Sequence, residues 1–376
     1  MAPGRASRPG ATLSGPMTPL PPDARLRVDD FDYDLPEASI AQVPAEPRDA
    51  ARLLVLDRAA SRPGRPALAH RVFRQLGELL HPGDLLVVND SRVIPARLPA
   101  VRAGGGEAEI LMLRPMESSP DSWEALVRPS RRIPSGATLT LGTGDTVEVG
   151  ERLSDGTRSV RFARDPAQVM ADAGETPLPP YIHDRSTPAD RYQTVYARPP
   201  GSAAAPTAGL HFTRELLHSL NEAGIRLASV TLHVGLDTFR PLDGEYVDEH
   251  RIHREWYAIP SRSQEIVRET RRNGGRVVAV GTTSVRVLET AVRDSATSGW
   301  TELYITPPHR FAAVDALITN FHLPRSSLLL LVTAFVQAGM PATTALEARD
   351  ALVGAYRVAL SEGYRFFSFG DAMFIG

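Results

Sequence analysis

Val277-Val278-Ala279-Val280-Gly281-Thr282-Thr283-Ser284-Val285-Arg286 sets the reading of the whole chain. Its first four residues are apolar without alternation, the pattern of a strand buried on both faces of a parallel sheet. Gly281 turns the chain, and a helix follows at Ser284 with Val285, Leu288, Ala291 and Val292 packed inward. Just upstream, a helix from Ser263 to Arg272 carries arginines in its last turn and is ended by Gly274-Gly275. Further back, Thr213 caps a helix with Leu216, Leu217 and Leu220 on one face, Gly224 stops it, and a strand runs from Ile225 to Val234. Downstream, the strand Val314 to Phe321 leads through Pro324 into a helix opened by Ser326. This alternation predicts an α/β fold with a mostly parallel sheet, in which ligands sit beyond the carboxyl ends of the strands.

Towards the N-terminus the pattern changes. A strand at Leu53-Leu54-Val55-Leu56-Asp57 and a weak helix from Phe73 to Leu80 lead to the turn His81-Pro82-Gly83. Between Asp84 and Arg164 short apolar runs recur, at Leu85 to Val88, Ile110 to Leu113, Trp123 to Val127, Ala137 to Leu141, Val147 to Val149 and Ser159 to Phe162, with Gly or Asp turns between them. Such spacing predicts an inserted antiparallel β-barrel domain. The expected layout is a disordered leader over 1–24, an α/β catalytic domain over 25–80 and 166–376, and the barrel over 81–165.

Composition removes several chemistries. The 376 residues include no cysteine and, read along the rows, no lysine. Disulfides, thiolate metal sites, cysteine nucleophiles and cysteine-held iron–sulfur clusters are therefore out, as are Schiff-base enzymes and the lysine of nucleotide-hydrolysing loops. With a net charge of −2, a nucleic-acid partner must be met by local arginines, such as Arg128/Arg131/Arg132, Arg251/Arg254 or Arg268/Arg271/Arg272. His250 and His253 lie near Glu249 and Glu255 but lack a His-Glu-x-x-His pattern, so no metal is expected. The apolar stretch Leu328 to Val336 is far short of the roughly 20 residues that span a bilayer. A cytoplasmic protein without a membrane partner is expected.

Two segments fall at the carboxyl ends of strands. The helix start at Thr282, Thr283 and Ser284 offers free amides and hydroxyls to an anion, with Arg286 closing the clamp; the alternative is an ordinary capped helix with Arg286 and Glu289 as an exposed pair. In the second segment, Asn320 and His322 fall on one strand face, with Asp315, Leu317 and Thr319 on the other. His322 reads either as a structural histidine or as a catalyst. Ala203 to Phe212 is a small-residue loop that presents His211 before a helix cap, while Thr231 and His233 form the polar face of a strand running towards Thr238-Phe239-Arg240.

Taken together, several long segments closely resemble the S-adenosylmethionine:tRNA ribosyltransferase-isomerases of queuosine biosynthesis. They include Asn89-Asp90-Ser91-Arg92-Val93-Ile94-Pro95-Ala96-Arg97-Leu98, Ala205-Pro206-Thr207-Ala208-Gly209-Leu210-His211-Phe212, Thr231-Leu232-His233-Val234-Gly235 and the Gly281 to Arg286 stretch. Asp315-Ala316-Leu317-Ile318-Thr319-Asn320-Phe321-His322-Leu323-Pro324 and Tyr364-Arg365-Phe366-Phe367-Ser368-Phe369-Gly370-Asp371-Ala372-Met373 continue the match. The resemblance implies transfer and isomerisation of the ribosyl part of S-adenosylmethionine onto 7-aminomethyl-7-deazaguanine at the tRNA wobble position, giving epoxyqueuosine with release of adenine and methionine. It implies tRNA and S-adenosylmethionine as partners and no metal; a monomer is expected.

Such chemistry needs a base, a proton donor for adenine and a cradle for a sulfonium. His211, Asp315, His322 and Glu289 are the expected catalytic groups. Phe212, Phe321 and Tyr181 are expected to face the sulfonium, with Thr282, Thr283, Ser284 and Arg286 at the methionine carboxylate. Asn320 and His233 are further expected binding residues, and Asn89, Asp90, Arg92 and Arg97 are expected to read the wobble base from the barrel. The chain departs from the family pattern at Pro307-Pro308-His309, at Asp237 and at His253-Arg254. The departures at Pro308 and Asp237 favour one alternative, a divergent relative using S-adenosylmethionine with another acceptor; a second alternative is a tRNA-binding protein that has lost catalysis.

Overall fold

The computed structural model describes residues 25–376 apart from 117, 118, 154, 155, 236–241 and 341. The expected leader over 1–24, Asp237 and the segment Thr238-Phe239-Arg240 thus lie outside the described residues. Val277–Val280 forms a strand with all four residues buried, as its unbroken apolar run demands. It pairs in parallel with Leu85–Asn89 on one side and Ala316–Asn320 on the other. These strands sit in a nine-stranded sheet ordered Ser298–Thr301, Glu255–Ala258, Arg226–Leu232, Leu85–Asn89, Val277–Val280, Ala316–Asn320, Ala372–Ile375, Arg52–Arg62, Arg65–Val72. Alternate residues feed two cores: Val277, Ala279 and Leu317 face the helices Thr282–Asp294, Ser327–Gly339 and Ala345–Ser361. Val278, Val280 and Ile318 face Phe73, Phe212, Leu216 and Leu220 on the other side.

The helix Ser327–Gly339 is capped by the Ser326 hydroxyl, which accepts the Leu329 amide, and it packs against Ala345–Ser361. Its apolar run belongs to the core; no helix among the described residues is long and apolar enough to cross a membrane. The Thr213 cap is also present. Two local expectations shift: the helix after Gly281 begins at Thr282 rather than Ser284, and Val292 on it is 54% exposed.

The strands Arg97–Arg102, Glu107–Met116, Ser119–Arg128, Ala137–Leu141, Thr146–Arg152 and Arg158–Phe162 close into a barrel. Leu98, Ile110, Val127, Leu139, Val147 and Val160 fill it. Leu85 to Val88, expected to open this barrel, instead runs through the middle of the large sheet. The physical difference is plain in the burial. Leu85–Asn89 is buried at every position, as a strand covered on both faces must be, whereas a barrel strand such as Ala137–Leu141 buries only its inward side chains.

Candidate active site

Beyond the carboxyl ends of Val277–Val280 and Ala316–Asn320 lies a cavity of about 630 Å³, counted out to its open rim. One side is the start of the helix Thr282–Asp294. Gly281 has φ of +84°, a conformation that favours glycine, and its amide donates to Ile318 O at 2.8 Å. The first helical bond runs from Val285 N to Gly281 O at 3.3 Å, so the amides of Thr282, Thr283 and Ser284 have no acceptor within the helix. Thr282 and Thr283 line the cavity, and Thr283 Oγ1 is buried without a hydrogen-bond partner. Ser284 does not line it, because its hydroxyl donates back to Val280 O at 2.8 Å.

The facing wall is the end of Ala316–Asn320 and the bend after it. Thr319, Asn320, Phe321 and His322 all line the cavity, contrary to the expected division between two strand faces. The pleat stops at Asn320, and the chain then folds back so that Thr319 Oγ1 meets His322 Nε2 at 2.8 Å. The Tyr356 hydroxyl accepts the His322 amide at 3.2 Å, and the Tyr33 hydroxyl donates to the His322 carbonyl. Burial pushes the His322 imidazole down to about 3, so it is neutral at ordinary pH. Asn320 is held at both ends, accepting from Thr207 Oγ1 at 2.9 Å and donating to Phe367 O at 3.2 Å. Tyr181 closes the rim, its hydroxyl 2.7 Å from Ser368 Oγ and its ring 4.8 Å from that of Phe367.

Several expected site residues lie elsewhere. Asp315 is at the opposite, amino end of its strand; its exposed carboxylate accepts the Val277 amide at 2.8 Å and lies 3.8 Å from Arg271. His211 is buried against Phe73, ring centroids 5.0 Å apart, with its nitrogens 3.2 Å from Ala208 O and 3.0 Å from Gly370 O. Phe212 packs edge-on against the same Phe73 and is not in the cavity wall. Their sequence segment does contribute to the wall, through Ala205 to Ala208. Glu289 is buried, accepting the amides of Ala312 and Ala313 at 3.0 and 2.8 Å. Arg286 neither closes a clamp nor pairs with Glu289 on the surface. It is 5% exposed, ion-paired with Glu255, and donates from Nε to Leu303 O at 3.1 Å.

Of the expected base-reading group, Asn89 and Asp90 are hydrogen-bonded within the large sheet. Asn89 Oδ1 accepts the amides of Leu232 and Ser91 at 3.0 and 3.1 Å, while Nδ2 donates to Leu232 O, tying two sheet strands together. Asp90 accepts from Thr231 Oγ1 at 2.8 Å. Arg92 is exposed, and Arg97 lies 3.5 Å from Glu109. His233 stacks on Trp256 instead of lining the cavity. Sequence reasoning missed Thr319 as the histidine's partner, and Phe367 and Ser368 as lining; the aromatic run Tyr364 to Phe369 was the available signal for the latter.

Residues 28–375 match the family described as queuosine biosynthesis protein. The S-adenosylmethionine:tRNA ribosyltransferase-isomerase of Moorella thermoacetica is 52% identical, covering 93% of this chain and 100% of its own length. The protein of the same name from Rubrobacter xylanophilus is 51% identical, covering 93% and 98%. Among solved structures, an S-adenosylmethionine tRNA ribosyltransferase from Thermotoga maritima is 39% identical with a TM-score of 0.52, covering 92% of this chain and 100% of that one.

Proposed function

The chain belongs to the queuosine biosynthesis family of S-adenosylmethionine:tRNA ribosyltransferase-isomerases, and from that premise we propose that the cavity beside Gly281 and His322 is where S-adenosylmethionine is held. The protein is a transferase that moves the ribosyl part of S-adenosylmethionine to tRNA and isomerises it. In our reading the acceptor is 7-aminomethyl-7-deazaguanine at the wobble position, and the chain acts as a monomer in the cytoplasm.

The methionine carboxylate lies at the open amides of Thr282 and Thr283, where the helix start favours negative charge and Thr283 Oγ1 lacks a partner. The sulfonium lies against the aromatic faces of Tyr181, Phe321 and Phe367, which suit a desolvated cation. Positive sulfur acidifies the adjacent ribose 5′ carbon. A neutral imidazole can take that proton and return it to the departing adenine, and the acceptor amine must itself be neutral to attack. His322 is given this role because, of the four expected catalytic side chains, it alone lines the cavity.

That observation carries the assignment. Its test is adenine release from S-adenosylmethionine in the presence of tRNA bearing the aminomethyl base or the unmodified guanine. We expect release only with the modified tRNA, and a fall in kcat of about 100-fold in His322→Gln with the S-adenosylmethionine affinity retained. Near-normal turnover in that variant would reject the role of His322.

A further inference from the structure

One edge of the large sheet carries a row of flat side chains that the reaction does not use. His233, Trp256 and Trp300 stand side by side on three neighbouring segments. The His233 amide donates to Trp256 O at 3.0 Å, and Trp256 is the direct cross-strand partner of Trp300. The imidazole stacks on the Trp256 indole, centroids 5.2 Å apart and planes 18° from parallel. Their strand neighbours Leu232, Glu255 and Tyr257 are buried on the core face, so the row occupies the other face, where all three rings are half-buried.

Arginines border this row. The guanidinium of Arg254 lies 5.8 Å from the Trp300 ring centre, and that of Arg114, from the barrel strand Glu107–Met116, lies 5.3 Å from it. The row therefore lines the angle between barrel and sheet edge. Both guanidiniums are held by carboxylates, Arg254 by Glu302 at 2.9 Å and Arg114 by Glu124 at 2.6 Å. At its inner end the row begins one residue from Val234, which lines the cavity. There Gly201, at φ +141°, lets the ribbon of Pro200–Ser202 and Arg92–Val93 pass close to His233; a Cβ at Gly201 would stand 2.8 Å from the imidazole Nε2. Arg92 on this ribbon and Arg198, two residues before its second strand, are exposed and have no ion-pair partner among the described residues.

We propose that His233, Trp256 and Trp300 form a stacking platform for the unpaired anticodon-loop nucleotides that flank the reacting base, with Arg92 and Arg198 at the loop's phosphates. The inference rests on the family reaction, since it needs a single-stranded RNA partner. Unpaired bases are recognised by stacking on aromatic and guanidinium planes, and that contact tolerates any base because each has a π face. Because Glu302 and Glu124 neutralise the bordering arginines, stacking supplies the affinity on the row itself. Placement beside Val234 sets neighbouring bases along the row while the wobble base enters the cavity.

The chain has three tryptophans, so in a Trp123→Phe variant only the row emits. Titration with an unmodified anticodon stem-loop RNA should then quench the emission saturably. Trp256→Ala and Trp300→Ala should each raise the KM for the modified stem-loop about tenfold, with kcat at saturating RNA and the KM for S-adenosylmethionine within about twofold, and Trp300→Phe should restore most of the loss. An unchanged RNA KM in both alanine variants overturns the platform. So does a matching loss in the KM for S-adenosylmethionine, which would mark the row as a mere brace between barrel and sheet. Quenching without adenine release from the parent protein would keep the platform and reject the reaction on which it was argued.

Discussion

The Thr319 hydroxyl and His322 Nε2 stand 2.8 Å apart, a hydrogen bond across the bend where the strand Ala316–Asn320 ends. This bond couples the orientation of the only histidine that lines the cavity among the described residues to the end of a central strand, and it leaves the other ring nitrogen, Nδ1, available for chemistry.

Replacing Thr319 by Val keeps the shape of the side chain and removes that partner. We expect kcat to fall about tenfold with little change in the KM for S-adenosylmethionine, and Thr319→Ser to recover most of the rate. The buried nitrogen left unpaired should cost roughly 1–3 kcal/mol of stability. Steady-state kinetics on both variants decides it: equal losses in Val and Ser would mean that packing, not the hydrogen bond, is at stake.

Burial of His322 has a signature in stability as well. Its imidazole is pushed from the ordinary 6.5 down to about 3 in the folded protein, so below pH 6.5 the unfolded chain takes up a proton that the folded chain refuses. Stability is therefore lost as pH falls from 6.5 towards 3, at up to about 1.4 kcal/mol per pH unit from this group. His211 and His233 are shifted in the same direction by burial and add to the slope. His322→Gln removes one contribution: relative to the parent, the variant should gain about 2 kcal/mol at pH 5 compared with pH 7 in urea unfolding. A constant difference between the two proteins at both pH values would contradict the shift.

Asp315 provides the opposite test. At the amino end of its strand it holds the Val277 amide, away from the cavity at the strand's other end. Asp315→Asn should leave kcat and both KM values within about twofold and cost about 1 kcal/mol of stability. A large loss of turnover would return Asp315 to the chemistry.

Asp315 and His322 also show what the sequence could and could not tell. The central strands, their caps and the barrel were legible because hydrophobic periodicity and punctuating Gly, Ser and Thr act locally; Ser326 and Thr213 cap as read. The cavity was legible too, since ligands collect where parallel strands end, and Gly281 to Thr283 and Asn320 to His322 do meet there. Alternation misjudged Thr319 because a strand's end cannot be timed to one residue from propensity. Leu85–Asn89 was misplaced because its order in the sheet depends on partners more than a hundred residues away, Arg226–Leu232 and Val277–Val280. The partners of His211, Glu289 and Arg286 were not legible for another reason: polar residues in chemically suggestive segments can equally be satisfied inside the fold, and only coordinates reveal which groups they meet.

Arg286 illustrates this and yields the last expectation. Its guanidinium pairs with Glu255 where both side chains are about 5–6% exposed, and the other Glu255 oxygen accepts the Gly235 amide at 2.9 Å. Gly235 follows Val234, a residue of the cavity wall, so the pair acts as a strut behind that wall. Arg286→Met leaves a buried carboxylate without its counter-charge and should cost roughly 3–5 kcal/mol, while the double change Arg286→Met with Glu255→Gln should cost clearly less than the sum of the two single changes. Urea unfolding of the four proteins measures the coupling. Where Arg286→Met remains folded, its KM for S-adenosylmethionine should rise more than its kcat falls, because the displaced wall contacts bound substrate without supplying a reacting group. Additive stability losses, or a fall confined to kcat, would show that Arg286 does something other than brace the wall.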